Sequence, residues 1–351
     1  MSTASDFRII RPVAITAAGS VFTSSTIPET TVTAWSGATT YGLGDRAGTA
    51  IVQGAAQTIY QSKQAGNLNH AVGDNAYWYT VGTVYPTYDN AATYAVGEYA
   101  TDATNHKIYI SIAAGHVGHG LADTAKWTYV SPTNRWKMFD PVYNTQALND
   151  EEMTIVLTPG TGIDSLAVLN VEGVSATITQ SITGHTETVS LISHDVPDWY
   201  EYFFEELLTT GDVLFDNIPP NPSATITLTV TNTDGTAKLG CLIPGKQKTL
   251  GKTNWEVSRT INDYSKAVED SSGNVTLSVG AYSKRMRLDV TVPTGLESDV
   301  TATLERYRAQ ELVFVGSTDY AMTIIYGFLG PWDNTISLVG RPLSLEIKGL
   351  I

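Results

Sequence analysis

Three carboxylates in one aromatic stretch, Glu201, Glu205 and Glu206 beside Trp199, Tyr200, Tyr202, Phe203 and Phe204, are the residues of this chain that come nearest to catalytic equipment. Glycoside hydrolysis needs such a pair: one carboxyl protonates the leaving oxygen while the other attacks or activates water, and rings hold the sugar. The plainer reading outweighs it. With Asp198 as a cap, Trp199, Phe203 and Leu207 fall at i, i+4 and i+8 of a short helix, which puts Glu201 and Glu205 on its solvated face. The same stretch also reads as an aromatic loop. His116 and His119 have a metal-ligand spacing, but they lie in a Gly-rich loop with no Cys and only distant carboxylates. The run Gly160-Thr161-Gly162-Ile163-Asp164-Ser165 lacks the Lys and the following helix of a phosphate loop, so it reads as a turn. Ser190, Ser193 and His194 lie close together without a nucleophile elbow. No catalytic residue, metal site or cofactor is expected from these motifs, and the chain is read as non-enzymatic.

Aromatic residues give a stronger signal, because they repeat. Trp35-(x5)-Tyr41-x-x-Gly44-Asp45, then Tyr60-(x5)-Gly66, then Trp78 returns as Tyr88-(x5)-Tyr94-x-x-Gly97-Glu98, Tyr109-(x5)-Gly115 and Trp127. Tyr60 to Trp78 and Tyr109 to Trp127 both span eighteen residues, whereas Asp45 to Tyr60 is four residues longer than Glu98 to Tyr109, as a hairpin loop of variable length allows. Aromatic faces bind sugars through the apolar C–H face of a pyranose, with nearby amides and carboxylates taking the hydroxyls. The candidate glycan-binding residues are Trp35, Tyr41, Tyr60, Tyr77, Trp78, Tyr79, Tyr94, Tyr109 and Trp127, with Tyr88 and Tyr129 also in the second copy. In so small a module most repeated rings must form the core. The non-repeated Tyr77 and Tyr79 are the better candidates for exposure.

Positioning these rings requires a larger body. A chain of 351 residues exceeds the roughly 100–150 of a typical single domain, so more than one core is expected. Abundant Thr, Val, Ile and Tyr, with 30 Gly and 14 Pro, predict mainly β structure and few helices. A net charge of −14 would repel a phosphate backbone, which argues against a nucleic-acid partner. Cys241 is the single cysteine, so no intrachain disulfide holds the modules, and folding in a reducing cytosol is expected. Asp6 interrupts any secretory signal at the start, and no apolar run reaches the roughly 20 residues of a membrane span. Release by cell lysis is one route that fits.

Along the chain, 1–32 reads as an extended arm, either loose or pairing with a neighbouring subunit. Residues 33–83 and 84–131 are the two repeats, each with two or three short strands. Residues 132–250 carry strands at 153–157, 166–171, 176–182, 187–192, 213–215 and 224–231, the pattern of a jelly-roll-like antiparallel sandwich. Residues 251–351 read as an α+β assembly domain: strands at 275–279, 285–292, 312–315, 323–328 and 343–347, and one helix presenting Leu296, Val300, Leu304 and Tyr307.

The repeat motif resembles small carbohydrate-binding modules of the chitin-binding type, which are three-stranded and bind through exposed aromatics. Where such modules place an exposed aromatic pair, this chain has Ser62-Lys63-Gln64 and Ser111-Ile112-Ala113. The remainder, with Asn134-Arg135-Trp136-Lys137-Met138-Phe139-Asp140, Tyr282-Ser283-Lys284-Arg285-Met286 and the closing run from Leu343 to Leu350, resembles structural tail proteins of tailed bacteriophages. That resemblance implies a tail-tip or baseplate component, located in the virion tail. Its partners would be other tail proteins, copies of itself in three- or six-fold symmetry, and cell-surface glycan. A glycan depolymerase and a free-standing glycan-binding protein are the alternatives.

Overall fold

The computed structural model describes residues 5–192, 211–254, 256–269, 273–318, 320–334 and 342–351. The expected helix at 198–208, with Glu201, Glu205 and Glu206, lies outside the described residues, as do Ser193, His194 and positions 270–272 of an expected turn. The chain is mainly β, and the one α-helix among the described residues is Glu297–Arg306.

One strand, Ile226–Thr253, runs through the whole body. Its first half pairs with Ala147–Leu157 on one side, and its opening residues pair with Ser175–Gln180 on the other. Its middle pairs with Ser165–Glu172, and its end with Asp6–Pro12 and Tyr282–Thr291. Handing a strand from one partner to the next brings backbones close together. At Gly245, which faces both Ser165 and Pro12, a Cβ would lie 2.4 Å from Ile10 Cγ2; at Gly251 it would lie 2.6 Å from the Thr291 carbonyl. Only glycine fits these crossings.

The first two thirds of this strand form a two-layered body. Register shifts at Asp150/Glu152 and between Thr231 and Thr236 bend both partners, so Met153, Ile155, Leu157, Leu228 and Val230 share one core with Leu166, Val168, Val213, Phe215 and Leu239. The uninterrupted run of Ser165–Glu172 marks a strand buried on both faces. Leu166, Val168 and Val171 enter this core, and Ala167 and Leu169 enter a second cluster with Ile10, Cys241, Ile243, Val313 and Ile324.

Beyond that second cluster the sheet closes. Ile226–Thr253, Asp6–Pro12, Leu312–Val315, Ile324–Asn334, Pro342–Gly349 and Tyr282–Thr291 pair in that order, all antiparallel, and the last returns to the first through Lys252 opposite Thr291. Closure removes the free edges of a six-stranded sheet. Phe7, Ile9, Leu250, Met286, Leu288, Val290, Phe314, Leu345 and Ile347 fill the barrel, and Val300 and Leu304 of the helix join them. Lys248 fastens the helix to the barrel wall, bonding Thr303 Oγ1 at 2.8 Å and pairing with Asp299.

These pairings revise the reading of 1–32. Asp6–Pro12 is an internal barrel strand, with Phe7, Ile9 and Ile10 fully buried, and Phe22–Ser25 pairs with Ala147–Leu157. Alternation of apolar residues marked these segments as strands, but partners more than 200 residues away are invisible to local pattern. For the same reason the expected boundary at 250/251 falls inside Ile226–Thr253.

A buried ion pair locks the layered body to the barrel. Lys284, from the barrel strand Tyr282–Thr291, donates to Asp212 Oδ2 and to the Tyr143 hydroxyl, and sits 4.0 Å from the Tyr143 ring centroid. Asp212 Oδ1 also accepts the Tyr143 hydroxyl at 2.9 Å and the Asn170 amide at 3.1 Å. Burial holds the Lys284 ammonium below its ordinary range against the pull of Asp212. Burial, reinforced by Asp212, pushes the Tyr143 phenol well above 10.0. Asp212→Ala is expected to cost about 3–5 kcal/mol, because it strands a buried charge, whereas replacing Lys284 and Asp212 together by Met and Leu costs less; urea unfolding measures both. A tyrosine whose folded pKa is raised contributes stability that is fully present below its unfolded value of 10.0 and is lost as pH rises past it. Alkaline melting should therefore show a steeper decline above pH 10 in the parent protein than in Tyr143→Phe.

Candidate functional site

The two repeats fold into small aromatic modules whose shared residues do the same structural work in each. In the first, Arg46–Gly48, Gln57–Ser62 and Trp78–Val84 form a three-stranded sheet; in the second, Tyr99–Asp102, Lys107–Ser111 and Trp127–Pro132 do. Gly44 and Gly97 take φ of +85° and +90°, the left-handed turn that leads into each sheet. Asp45 Oδ2 then accepts the Gly42 amide at 2.7 Å, and Glu98 Oε2 accepts the Ala95 amide at 2.8 Å. Trp78 Nε1 donates to the His70 carbonyl at 2.9 Å, and Trp127 Nε1 donates to the His119 carbonyl at 3.0 Å. The Tyr41 hydroxyl accepts the Ser36 amide and the Tyr94 hydroxyl accepts the Asp89 amide.

These contacts decide which rings face water. Trp78, Tyr94 and Trp127 are 1–2% exposed and Tyr41 is 8% exposed, so these four candidates are core. Tyr41 packs edge-on to Trp78 at 5.0 Å, and Tyr94 to Trp127 at 4.7 Å. A module with three short strands has few aliphatic residues to bury, and the large rings take their place. Trp35, Tyr60 and Tyr77 are half-buried against the first core, with Tyr77 stacked on His70 at 3.4 Å. Tyr109 is half-buried against the second core, and Tyr79 is half-buried with Lys63 Nζ 4.1 Å from its ring centroid.

The His116/His119 spacing is explained by packing. His116 is buried, with Nε2 2.9 Å from Ser111 Oγ, in the place where the first module holds Asn67 against Ser62 Oγ at 3.1 Å. Burial keeps the His116 imidazole below its ordinary pKa. His119 pairs instead with Asp123 at 2.9 Å. Among the described residues no group of three His, Cys, Asp or Glu side chains could hold a metal ion. Cys241 borders a cleft of about 500 Å³ that also touches Arg11, Asp140, Glu311 and Tyr326, but burial pushes its thiol up to about 12, so it is not a thiolate at neutral pH.

The most exposed large ring in either module is Tyr129, at 50%. It lies directly across from Tyr109 on the neighbouring strand, with ring centroids 6.0 Å apart, and Lys107 Nζ lies 5.7 Å from its centroid. The row Trp127, Tyr109, Tyr129 thus runs along one sheet face from the module core into solvent. In the first module the position opposite Tyr60 is Thr80, so no equivalent second ring exists there. Spacing favoured the repeated positions and the flanks of Trp78; the signal for Tyr129 was the opposite one, an aromatic that breaks the repeat.

The second module does not float free. Glu29, 6% exposed, lies 2.6 Å from His106 Nδ1 in the second module's hairpin turn, accepts the Thr133 hydroxyl at 2.7 Å and pairs with Arg135 at 3.2 Å. His106 stacks on Trp136 at 3.8 Å, and Arg135 Nε bonds the Ile27 carbonyl at 2.8 Å. The Tyr129 face is therefore held at a fixed place on the body. No family model, curated protein or solved structure matches this chain.

Trp127→Ala should destabilise the second module by about 3–5 kcal/mol, whereas Tyr129→Ala should stay within about 0.5 kcal/mol of the parent. His116→Asn, which installs the first module's solution, should be milder than His116→Ala. Hydrogen exchange of Lys107–Ser111 amides compares all four.

Proposed function

We propose that this protein is a non-enzymatic structural component of a bacteriophage tail tip or baseplate that presents an aromatic surface to host-cell glycan. The observation that carries the reading is the Tyr109–Tyr129 pair: an exposed ring backed by a half-buried one, on a module fastened to a rigid body through Glu29. A sugar's C–H face packs on such a ring. Partial desolvation and the nearby Asp140 carboxylate hold the Tyr129 phenol above its ordinary pKa, and the neutral phenol can donate to a sugar hydroxyl. In this reading the layered body is a jelly-roll-like sandwich and the barrel with its helix is the α+β assembly unit. One such face per chain, multiplied by a three- or six-fold tail, would turn weak single contacts into firm attachment.

Purified protein on immobilised polysaccharides from the host envelope tests the glycan half of the proposal. Retention should fall at least about tenfold in Tyr129→Ala, the loss of roughly 1.4 kcal/mol from one ring, while Tyr77→Ala changes it less. Mass spectrometry of purified virions tests the other half. Absence from the particle would overturn the tail reading, and retention indifferent to Tyr129 would overturn the site.

A further inference from the structure

Among the described residues, Ser258–Asp263 is an edge strand that pairs on one side only, with Tyr282–Thr291. Its other edge leaves a row of backbone donors and acceptors open. Beyond it the hairpin continues as a two-stranded ribbon, Lys266–Glu269 against Val275–Ser278, in which every residue is exposed. Leu277 is 76% exposed, and Val279, just past the ribbon, is 92% exposed. A two-stranded ribbon is marginal by itself in water, and a further strand is what it lacks.

The edge is also complementary to itself. Arg259, Ile261 and Asp263 alternate onto one face, opposite Met286, Lys284 and Tyr282. Ile261 is 55% exposed. Arg259 Nε is buried without a hydrogen-bond partner. Asp263 uses Oδ1 for the Ser265 amide and hydroxyl, leaving Oδ2 open. In an antiparallel copy of this strand centred on Ile261, Arg259 meets Asp263 of the second copy, Thr260 meets Asn262, and Ile261 meets itself. The same happens again on the other side of the axis, because a two-fold contact is isologous.

We infer that Ser258–Asp263 is a two-fold docking strand, through which two copies of this chain join their sheets edge to edge with reciprocal Arg259–Asp263 pairs. Opposite charges directly across an antiparallel pair are favourable and like charges are not, so the charge order R-T-I-N-D fixes both register and direction. This contact is separate from the ring symmetry proposed for a tail and would combine with it only in a dihedral assembly. It stands or falls without the glycan reading.

Charge reversal tests it on the full-length chain by analytical ultracentrifugation, with circular dichroism confirming that each variant is folded. The parent should sediment as two chains. Arg259→Asp and Asp263→Arg should each raise the dimer dissociation constant at least about tenfold, and the double swap should restore it. A parent that is monomeric throughout would overturn the inference, as would a dimer that both reversals leave intact, or single-variant losses that the swap fails to repair.

Discussion

The body of this protein depends on one strand being shared by two cores. Ile226–Thr253 gives its first part to the layered body and its last residues to the barrel, so neither can be completed without it. The topology follows from that constraint. The strand must turn at its register shifts, exchange partners at Gly245 and Gly251, and receive Asp6–Pro12 from the far end of the chain to close the ring. Long-range pairing of this kind is entropically costly to assemble and, once assembled, leaves the two bodies without an independent hinge.

The polar groups at the junction fit the same constraint. Where the strand passes between the cores, the contact is mostly apolar, through Ile10, Ala167, Leu169, Cys241 and Ile243. Lys284, Asp212 and Tyr143 sit at its margin as a hydrogen-bonded set. A buried ion pair is weak evidence for stability, but it is sensitive to misalignment, so it favours one way of seating the barrel on the layered body. Glu29 does a comparable job for the second module, since one carboxylate meets His106, Thr133 and Arg135 and joins three stretches distant in sequence. Modules without disulfides or a large aliphatic core thereby gain a fixed orientation.

Much of this was legible before the structure. Alternation located the strands around 153–157, 166–171, 285–292, 312–315 and 343–347, and helical spacing located Val300 and Leu304, because each signal is local and periodic. The repeat correctly marked two three-stranded modules. What local pattern could not supply was partnership. Asp6–Pro12 looked like an arm because its neighbours, Gln247 and Val313, lie more than 200 residues away. Repetition, in turn, marked the rings that hold each module together. Residues reused at the same place in two small modules are those that build the module, and so Tyr41, Trp78, Tyr94 and Trp127 are buried while the unmatched Tyr129 faces water.

Placing that ring in its working context is the most direct test of the account. The proposed tail role predicts that a cryo-EM map of a phage particle carrying this protein shows the barrel and layered body packed within the tail or baseplate, with the second module outward and the Tyr109–Tyr129 face uncovered. A map in which a neighbouring protein seals that face, or in which the barrel makes no contact with the particle, would contradict it.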